Sequence, residues 1–133
     1  MKQLLFAYFS SLLSIPALDS LWLGTTMNRF YKPRMAQVMA EKVAYTPIVL
    51  FYLLYNFGIL IFVIQPALKH STSLLHVFLR GALLGLIGYG TYDLTNQATL
   101  KGWTTSLSLV DMAWGSLLTG AVSVLAVVVA RWF

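Results

Sequence analysis

The sequence contains no cysteine. Disulfide bonds, thiolate metal sites and cysteine nucleophiles are therefore excluded. Charged side chains are also scarce, since Asp, Glu, Lys and Arg make up 10% of the residues, against about 25% in a typical soluble domain. So few charges exclude an ordinary water-soluble globule. They also argue against a nucleic-acid partner, which would require a clustered basic face.

Recognised catalytic motifs are missing as well. The chain has no nucleophile-elbow, zinc-protease, Walker or dinucleotide-binding pattern. Neither His70 nor His76 has a metal-ligand partner at a recognised spacing, so we expect both to be solvated or interfacial and expect no metal site. The sequence assigns no catalytic residue and no cofactor.

Apolar residues dominate instead, with 59% of the chain hydrophobic. A membrane-spanning helix needs about 20 mostly apolar residues, and four such stretches follow one another. The third stretch contains Arg80 and Asp93, which a span can hold near opposite edges of the apolar slab. The predicted fold is an all-α, integral membrane four-helix bundle that forms a single domain, 1–133. Its spans are expected at about 3–24, 46–65, 74–98 and 107–130.

The positive charges predict an orientation. Four Lys and Arg residues lie between Arg29 and Lys42 in the connection between the first two spans. Cytoplasmic connections usually carry the excess of these residues. The pattern therefore places this connection in the cytoplasm and both termini outside, by a narrow margin. Within it, Met35 to Val43 could form a short interfacial helix.

Three of the four acidic residues lie in or beside spans, and the topology brings them to one leaflet. Asp19 lies near the end of the first span, Asp93 near the end of the third and Asp111 near the start of the fourth. A carboxylate inside hydrocarbon costs about 2.5–3.5 kcal/mol on insertion scales, so it usually faces the bundle interior, finds a partner or serves a site. We therefore expect the three acids at one depth.

Each span also carries a polar face suited to a shared interior. On the third span, Asp93, Asn96 and Gln97 are spaced so that they form one strip with Tyr89. The fourth span has a stripe of small and polar residues, namely Thr104, Ser108, Asp111, Gly115, Thr119 and Ser123. The sequence thus predicts a pocket with the three aspartates as its polar core. Its expected wall residues are Trp22, Tyr92, Asn96 and Trp114.

Some of these features also have a purely structural interpretation. Small residues at helical spacing, such as Gly81 and Gly85, are typical of close packing between membrane helices. Asp111 could begin the fourth helix, because Asp favours helix N-termini. Asp93 could be a structural partner of Lys101, of Arg29 or of a tyrosine hydroxyl.

Two Asp-x-x-Trp patterns, Asp19 with Trp22 and Asp111 with Trp114, place an indole one helical turn from a carboxylate. Such an indole could form a pocket wall. Alternatively Trp22, like Trp103 and Trp132, could anchor a span end at the membrane interface, and Trp114 could serve packing.

The acids could also be neutralised. Three carboxylates could hold a hard cation such as Mg²⁺, although no metal spacing signature is present. Arg29, Arg34 or Lys42 could instead pair with the acids and leave a mixed-charge pocket for a lipid head group.

Three segments, Pro16–Gly24, Tyr92–Leu100 and Val110–Gly115, carry a family resemblance. The sequence resembles an uncharacterised family of short, four-span bacterial membrane proteins, known as a predicted membrane protein domain of unknown function. The resemblance covers nearly the whole chain. It implies a bacterial inner-membrane location and four helices, and it implies no reaction.

These observations favour an integral membrane protein that binds a membrane lipid or another small amphiphile in a polar pocket near the cytoplasmic leaflet. Whether acid–base chemistry modifies the occupant stays open. A proton- or cation-coupled transporter is an alternative, and it would require a homo-oligomer because four spans are few for a carrier. A noncatalytic membrane scaffold, in which the aspartates serve packing, is the third.

Overall fold

The computed structural model describes all 133 residues, and it contains helices and turns but no strands. Four helical segments are long and apolar enough to cross a membrane: Lys2–Met35, Tyr45–Lys69, Leu74–Thr99 and Thr105–Trp132. This confirms the predicted all-α, four-helix membrane bundle.

The first two spans are each interrupted by one wide, π-helical turn. The first span consists of α1 (Lys2–Thr26), a π-helical turn (Met27–Tyr31) and α2 (Lys32–Met35). The second consists of α3 (Tyr45–Ile59), a π-helical turn (Leu60–Ile64) and α4 (Gln65–Lys69). The third and fourth are single helices, α5 (Leu74–Thr99) and α6 (Thr105–Trp132). Such turns are rare and are frequent at functional sites.

The two uninterrupted helices begin at side-chain caps. The Ser73 hydroxyl accepts a hydrogen bond from the backbone N–H of His76 ahead of α5, and the Thr104 hydroxyl accepts one from that of Leu107 ahead of α6. Each cap satisfies a backbone donor that the first helical turn leaves free. Asp111 lies within α6, so it does not have the helix-starting role that the sequence allowed.

The connection between the first two spans is mostly irregular. α2 ends at Met35 and residues 39–44 are not helical, so the expectation of an interfacial helix from Met35 to Val43 is wrong. Arg34 Nε donates to Ser106 Oγ at 3.4 Å. This bond joins the first connection to the start of α6, at the same end of the bundle.

α6 is the centre of the bundle. α5 packs along it most extensively, α1 packs against it as well, and α3 lies against α1. The predicted polar and small stripe of α6 faces these neighbours: Ser108, Gly115, Thr119 and Ser123 are buried, whereas Thr104 at its end is exposed.

Glycines allow α5 and α6 to approach closely. A Cβ atom added at Gly81 would lie 2.9 Å from the carbonyl oxygen of Thr119, and one at Gly85 would lie 2.7 Å from Thr119 Oγ1. Both distances are shorter than van der Waals contact. The geometry therefore supports close helix packing as the role of these two small residues.

The half of the bundle away from the Arg29–Lys42 connection is filled mostly by apolar side chains. Its buried apolar members are Ala7, Ile15, Ile59, Val63, Ile64, Ala67, Val77, Leu118, Val122, Ala126, Val127 and Ala130. Four uncharged polar residues, Ser11, Asn56, Thr119 and Ser123, are buried there as well. At the far end, Arg131 Nη2 donates to the Thr72 carbonyl oxygen at 2.6 Å. The acidic side chains of the spans all lie in the opposite half.

Candidate functional site

Two adjoining cavities lie between the spans in the half of the bundle that carries the acids. The larger has a volume of about 510 Å³ and the smaller a volume of about 270 Å³. Both are lined by Asp19, Leu23, Tyr89, Tyr92 and Asp111. The two cavities therefore adjoin across these five residues, and together we call them the acidic hollow.

The larger cavity separates α3 from α5. Its α3 wall consists of Pro47, Ile48, Phe51, Tyr52 and Tyr55, and its α5 wall consists of Gly88, Tyr89 and Tyr92. The side chains of Ile48, Phe51 and Tyr92 are exposed, and on the outside of a membrane bundle an exposed side chain faces lipid. The larger cavity thus opens sideways toward the bilayer.

Asp19 on α1 connects three spans. Its Oδ2 accepts a hydrogen bond from Tyr52 Oη on α3 at 2.6 Å. Its Oδ1 accepts one from Trp114 Nε1 on α6 at 3.0 Å. Both oxygens of Asp19 therefore have a donor and hold the inner end of the larger cavity together.

Asp111 receives its hydrogen bond from a tyrosine that is held by the other tryptophan. Tyr31 Oη donates to Asp111 Oδ1 at 2.8 Å and accepts from Trp22 Nε1 at 2.9 Å. The rings of Trp22 and Trp114 stack with centroids 4.6 Å apart and planes 6° apart. Each indole therefore supports the acid of the other Asp-x-x-Trp pattern. Trp114 bonds directly to Asp19, and Trp22 bonds to the tyrosine that donates to Asp111.

One tryptophan differs from its expected position at the interface. Trp103 is 9% exposed, and its Nε1 donates to Ser108 Oγ at 3.1 Å, so its side chain is buried in the protein and does not face the interface. Trp22 is partly exposed and stacks on Trp114. Trp132, which is 81% exposed, lies on the surface at a span end.

Asp93 is the acid that has no N–H or hydroxyl donor from another residue. Its side chain is 0% exposed, and neither of its carboxyl oxygens accepts such a hydrogen bond. It lines the smaller cavity, and its side-chain partner is the carboxyl group of Asp111, with which it can form a hydrogen bond only by sharing a proton. The pairings with Lys101, Arg29 or a tyrosine hydroxyl that the sequence allowed are not formed. A buried carboxyl group whose only partner is another acid is uncommon and calls for a physical explanation.

Basic side chains do not line the acidic hollow. Arg34 Nη1 donates to the Phe30 carbonyl oxygen at 3.0 Å, and the guanidinium carbon lies 4.0 Å from the centroid of the Phe30 ring. Arg29 and Lys42 are exposed. The expected mixed-charge pocket is therefore wrong, and the lining consists of acids, tyrosines and apolar side chains.

The three acids line the same hollow, but they are not arranged around one point where a metal ion could bind. No group of three His, Cys, Asp or Glu side chains is arranged to hold a metal ion. Asp19 projects from α1 and is held by Tyr52 and Trp114, whereas Asp93 and Asp111 lie next to each other on α5 and α6. The geometry does not support the alternative of a Mg²⁺ site.

The structure divides the residues expected to form the pocket into three groups. The hollow is lined by Asp19, Tyr92, Asp93 and Asp111. Trp22 and Trp114 line neither cavity; Trp114 donates to Asp19, and Trp22 donates to Tyr31, which in turn donates to Asp111. Asn96 is partly buried on α5 and lines neither cavity.

Sequence reasoning left several tyrosines out of the pocket. Tyr52 and Tyr89 lie on the polar faces of their own helices and could have been included on that signal. Tyr31 could not have been included. It follows Trp22 by 9 residues, and in a regular α-helix this spacing places the two side chains about 180° apart. The π-helical turn Met27–Tyr31 changes this angle and brings Tyr31 to Asp111.

We expect the substitution Asp93→Asn to stabilise the bundle. The amide keeps the size of the carboxyl group and donates to Asp111 without a shared proton, so the free energy of unfolding should rise by about 1 kcal/mol, the net value of one hydrogen bond. Thermal unfolding in detergent measures the change. Glu41→Gln, in the exposed connection, is the matched control and should melt like the wild type. A lower melting temperature for Asp93→Asn would contradict this account of the carboxyl group.

The match to known families covers almost the whole chain. A family model described as "Predicted membrane protein (DUF2177)" matches residues 4–128. No curated protein and no solved structure matches the chain.

Proposed function

The chain belongs to the "Predicted membrane protein (DUF2177)" family, and we propose that it binds a lipid or another small amphiphile in the acidic hollow. The observation that carries the proposal is a cavity of about 510 Å³ that opens toward the bilayer and has Asp19 and Asp111 in its lining. Binding sites for small molecules are typically about 300–1,000 Å³ in volume, mostly apolar, with a few convergent polar groups.

The lining of the hollow has an apolar part and a polar part, as an amphiphile does. Ile48 and Phe51 on α3 and the α5 backbone at Gly88 form an apolar groove for a hydrocarbon chain. Asp111 and the hydroxyl groups of Tyr89 and Tyr92 offer polar contacts to a head group. This division supports binding in a fixed orientation, with the apolar chain toward the opening and the head group toward the acids.

The chemistry of the lining supports binding ahead of acid–base modification. The hollow offers carboxyl and phenol groups but no His, Lys or Arg side chain. Asp and Tyr side chains can act as general acids or bases, but no observation places one of them against a bond of a substrate. We therefore propose binding as the activity.

A coupled transporter receives less support. The acids lie in one half of the bundle, and the other half is packed with apolar side chains such as Ile59, Val63 and Leu118. A substrate could cross only if that half opened or if a second copy of the chain completed a pathway.

We further propose a location in the bacterial inner membrane, with the hollow in the cytoplasmic leaflet and both termini in the periplasm. The Lys and Arg residues between Arg29 and Lys42 support this orientation, because they lie at the same end of the bundle as the hollow.

A substitution that fills the larger cavity tests the proposed function. Gly88 lies on the α5 wall, and a Cβ atom there would lie 3.2 Å from the Tyr55 ring, so a leucine side chain would occupy the space beside it. We expect native mass spectrometry of the protein, purified in mild detergent, to detect a defined bound amphiphile. Gly88→Leu should lose most of it.

Gly24→Leu is the matched control for this experiment. Gly24 is exposed on α1, and a Cβ atom there would meet nothing within 4 Å. This variant should retain the amphiphile, and melting curves check that both variants are folded. Equal retention by the two variants, or a wild-type protein that carries no amphiphile, would contradict the proposed function.

A further inference from the structure

The polar lining of the acidic hollow is unbalanced in charge. Its ionisable side chains are three aspartates and five tyrosines, without any Lys, Arg or His. The tyrosines are Tyr31, Tyr52, Tyr55, Tyr89 and Tyr92. A polar occupant that complements this lining brings positive charge and hydrogen-bond donors of its own.

The free acceptors lie at one place in the hollow. Both oxygens of Asp19 accept hydrogen bonds from the protein. Asp111 accepts one, from Tyr31, at Oδ1. Asp93 accepts none from an N–H or hydroxyl group of another residue; its fully buried carboxyl group lies against that of Asp111 instead. This pair therefore holds the acceptors of the hollow that lack a protein donor, and a ligand reaches those of Asp93 by displacing the contact between the two carboxyl groups.

Aromatic rings line the smaller cavity beside this pair. Tyr31, Tyr92 and Trp103 line it together with the two acids. The rings of Tyr92 and Trp103 meet edge to face with centroids 5.6 Å apart. Aromatic rings attract cations, and groups of aromatic side chains are a recurrent means of binding ammonium groups.

We infer that the amphiphile bound in the acidic hollow carries a protonated primary amine. Its N–H groups donate to Asp93 and Asp111, and its apolar chain lies in the larger cavity between α3 and α5. An ammonium group has three donors and no acceptor, which matches acids that lack donors. A quaternary ammonium group would supply the charge but leave both oxygens of Asp93 without a donor. This inference names the class of occupant and so rests on the proposed function.

A proton shared between Asp93 and Asp111 is the competing account, because it would satisfy the two acids without a ligand. The two accounts differ in what they predict for head-group selectivity. If only a proton is shared, a bound amphiphile gains nothing from an amine. If the pair binds a head group, the amine is preferred and the preference depends on both acids.

Three probes with the same twelve-carbon chain test the inference: dodecylamine, dodecyltrimethylammonium and dodecanol. Each is titrated into the full-length protein in phosphatidylcholine nanodiscs, with empty nanodiscs as the reference, and bound probe is counted by native mass spectrometry. We expect dodecylamine to bind at least about tenfold more tightly than the other two. Asp93→Asn and Asp111→Asn should lose this preference, and Glu41→Gln should keep it.

The outcomes separate this inference from the proposed function. Equal binding of dodecylamine and dodecanol by the wild-type protein would overturn the amine head group and leave an amphiphile site in place. Binding of none of the three probes above the empty nanodiscs would overturn both. An amine preference that survives in Asp93→Asn would show that Asp93 is not part of the head-group site.

Discussion

Replacement of Gly85 by alanine is expected to destabilise the bundle by about 2–3 kcal/mol, because overpacking at a tight contact typically costs about 1–3 kcal/mol. A Cβ atom at this position would overlap the backbone carbonyl oxygen of Gly115 and lie 2.7 Å from Thr119 Oγ1. The carbonyl oxygen belongs to the backbone of α6 and cannot rotate away. The overlap can be relieved only if α5 and α6 move apart, which weakens the most extensive helix contact in the protein.

Gly58→Ala is the matched control for Gly85→Ala. Gly58 lies on α3, and a Cβ atom there would meet nothing within 4 Å. Alanine is favoured over glycine in a helix by up to about 1 kcal/mol, so this variant should melt at the wild-type temperature or slightly above it. Thermal unfolding in detergent, followed by circular dichroism, measures both variants. Equal melting temperatures would mean that α5 and α6 do not approach as closely as the structure has them.

The second large effect is expected from Asp19→Ala, which should lower the free energy of unfolding by about 2–4 kcal/mol. The substitution leaves Tyr52 Oη and Trp114 Nε1 without their acceptor. A hydrogen bond to a charged group contributes about 1.5–3 kcal/mol, and removal of the partly buried carboxylate offsets part of the loss.

Tyr52→Phe gives the control for Asp19→Ala. It removes one donor and leaves the hydrogen bond from Trp114 to Asp19, so it should cost less than half as much. The double variant should cost less than the sum of the two single variants, because residues in direct contact are coupled. Strict additivity, or a wild-type melting temperature for Asp19→Ala, would show that the bond between Tyr52 and Asp19 does not hold α3 against α1.

Asp19 and Asp93 therefore have opposite expected effects on stability although both are aspartates in the same hollow. Asp19 has two donors from two other spans, whereas Asp93 has none. Removing the Asp19 carboxyl group breaks contacts that hold the bundle together. Removing the Asp93 carboxyl group relieves the free-energy cost of burying it. A side chain that lowers the stability of the fold is characteristic of a position kept for function.

The fold could be predicted from the sequence because a bilayer permits few architectures. Backbone polar groups inside hydrocarbon must be satisfied within a helix or a closed barrel, so four apolar stretches without strand alternation indicate four helices. The same topology brings Asp19, Asp93 and Asp111 to one end, since alternate spans run in opposite directions. These inferences use only the order and length of the stretches.

The remainder of the site depends on packing that helical spacing does not encode. Spacing placed Trp22 one turn from Asp19, but the indole N–H bonds to Tyr31 and serves Asp111 instead. Asn96 shares the polar face of α5 with Asp93, yet it lines neither cavity. The larger cavity exists because α3 packs against α1 and leaves a gap beside α5. The sequence of neither helix reveals that gap.

The sideways opening between α3 and α5 would determine where the proposed amphiphile comes from. Molecules that use this entrance diffuse in the plane of the membrane and never pass through water on the way. Occupancy would then follow the mole fraction of the amphiphile among the lipids and would not depend on the volume of buffer. Fusion with ligand-free vesicles should empty the site, whereas washing with buffer should leave it filled.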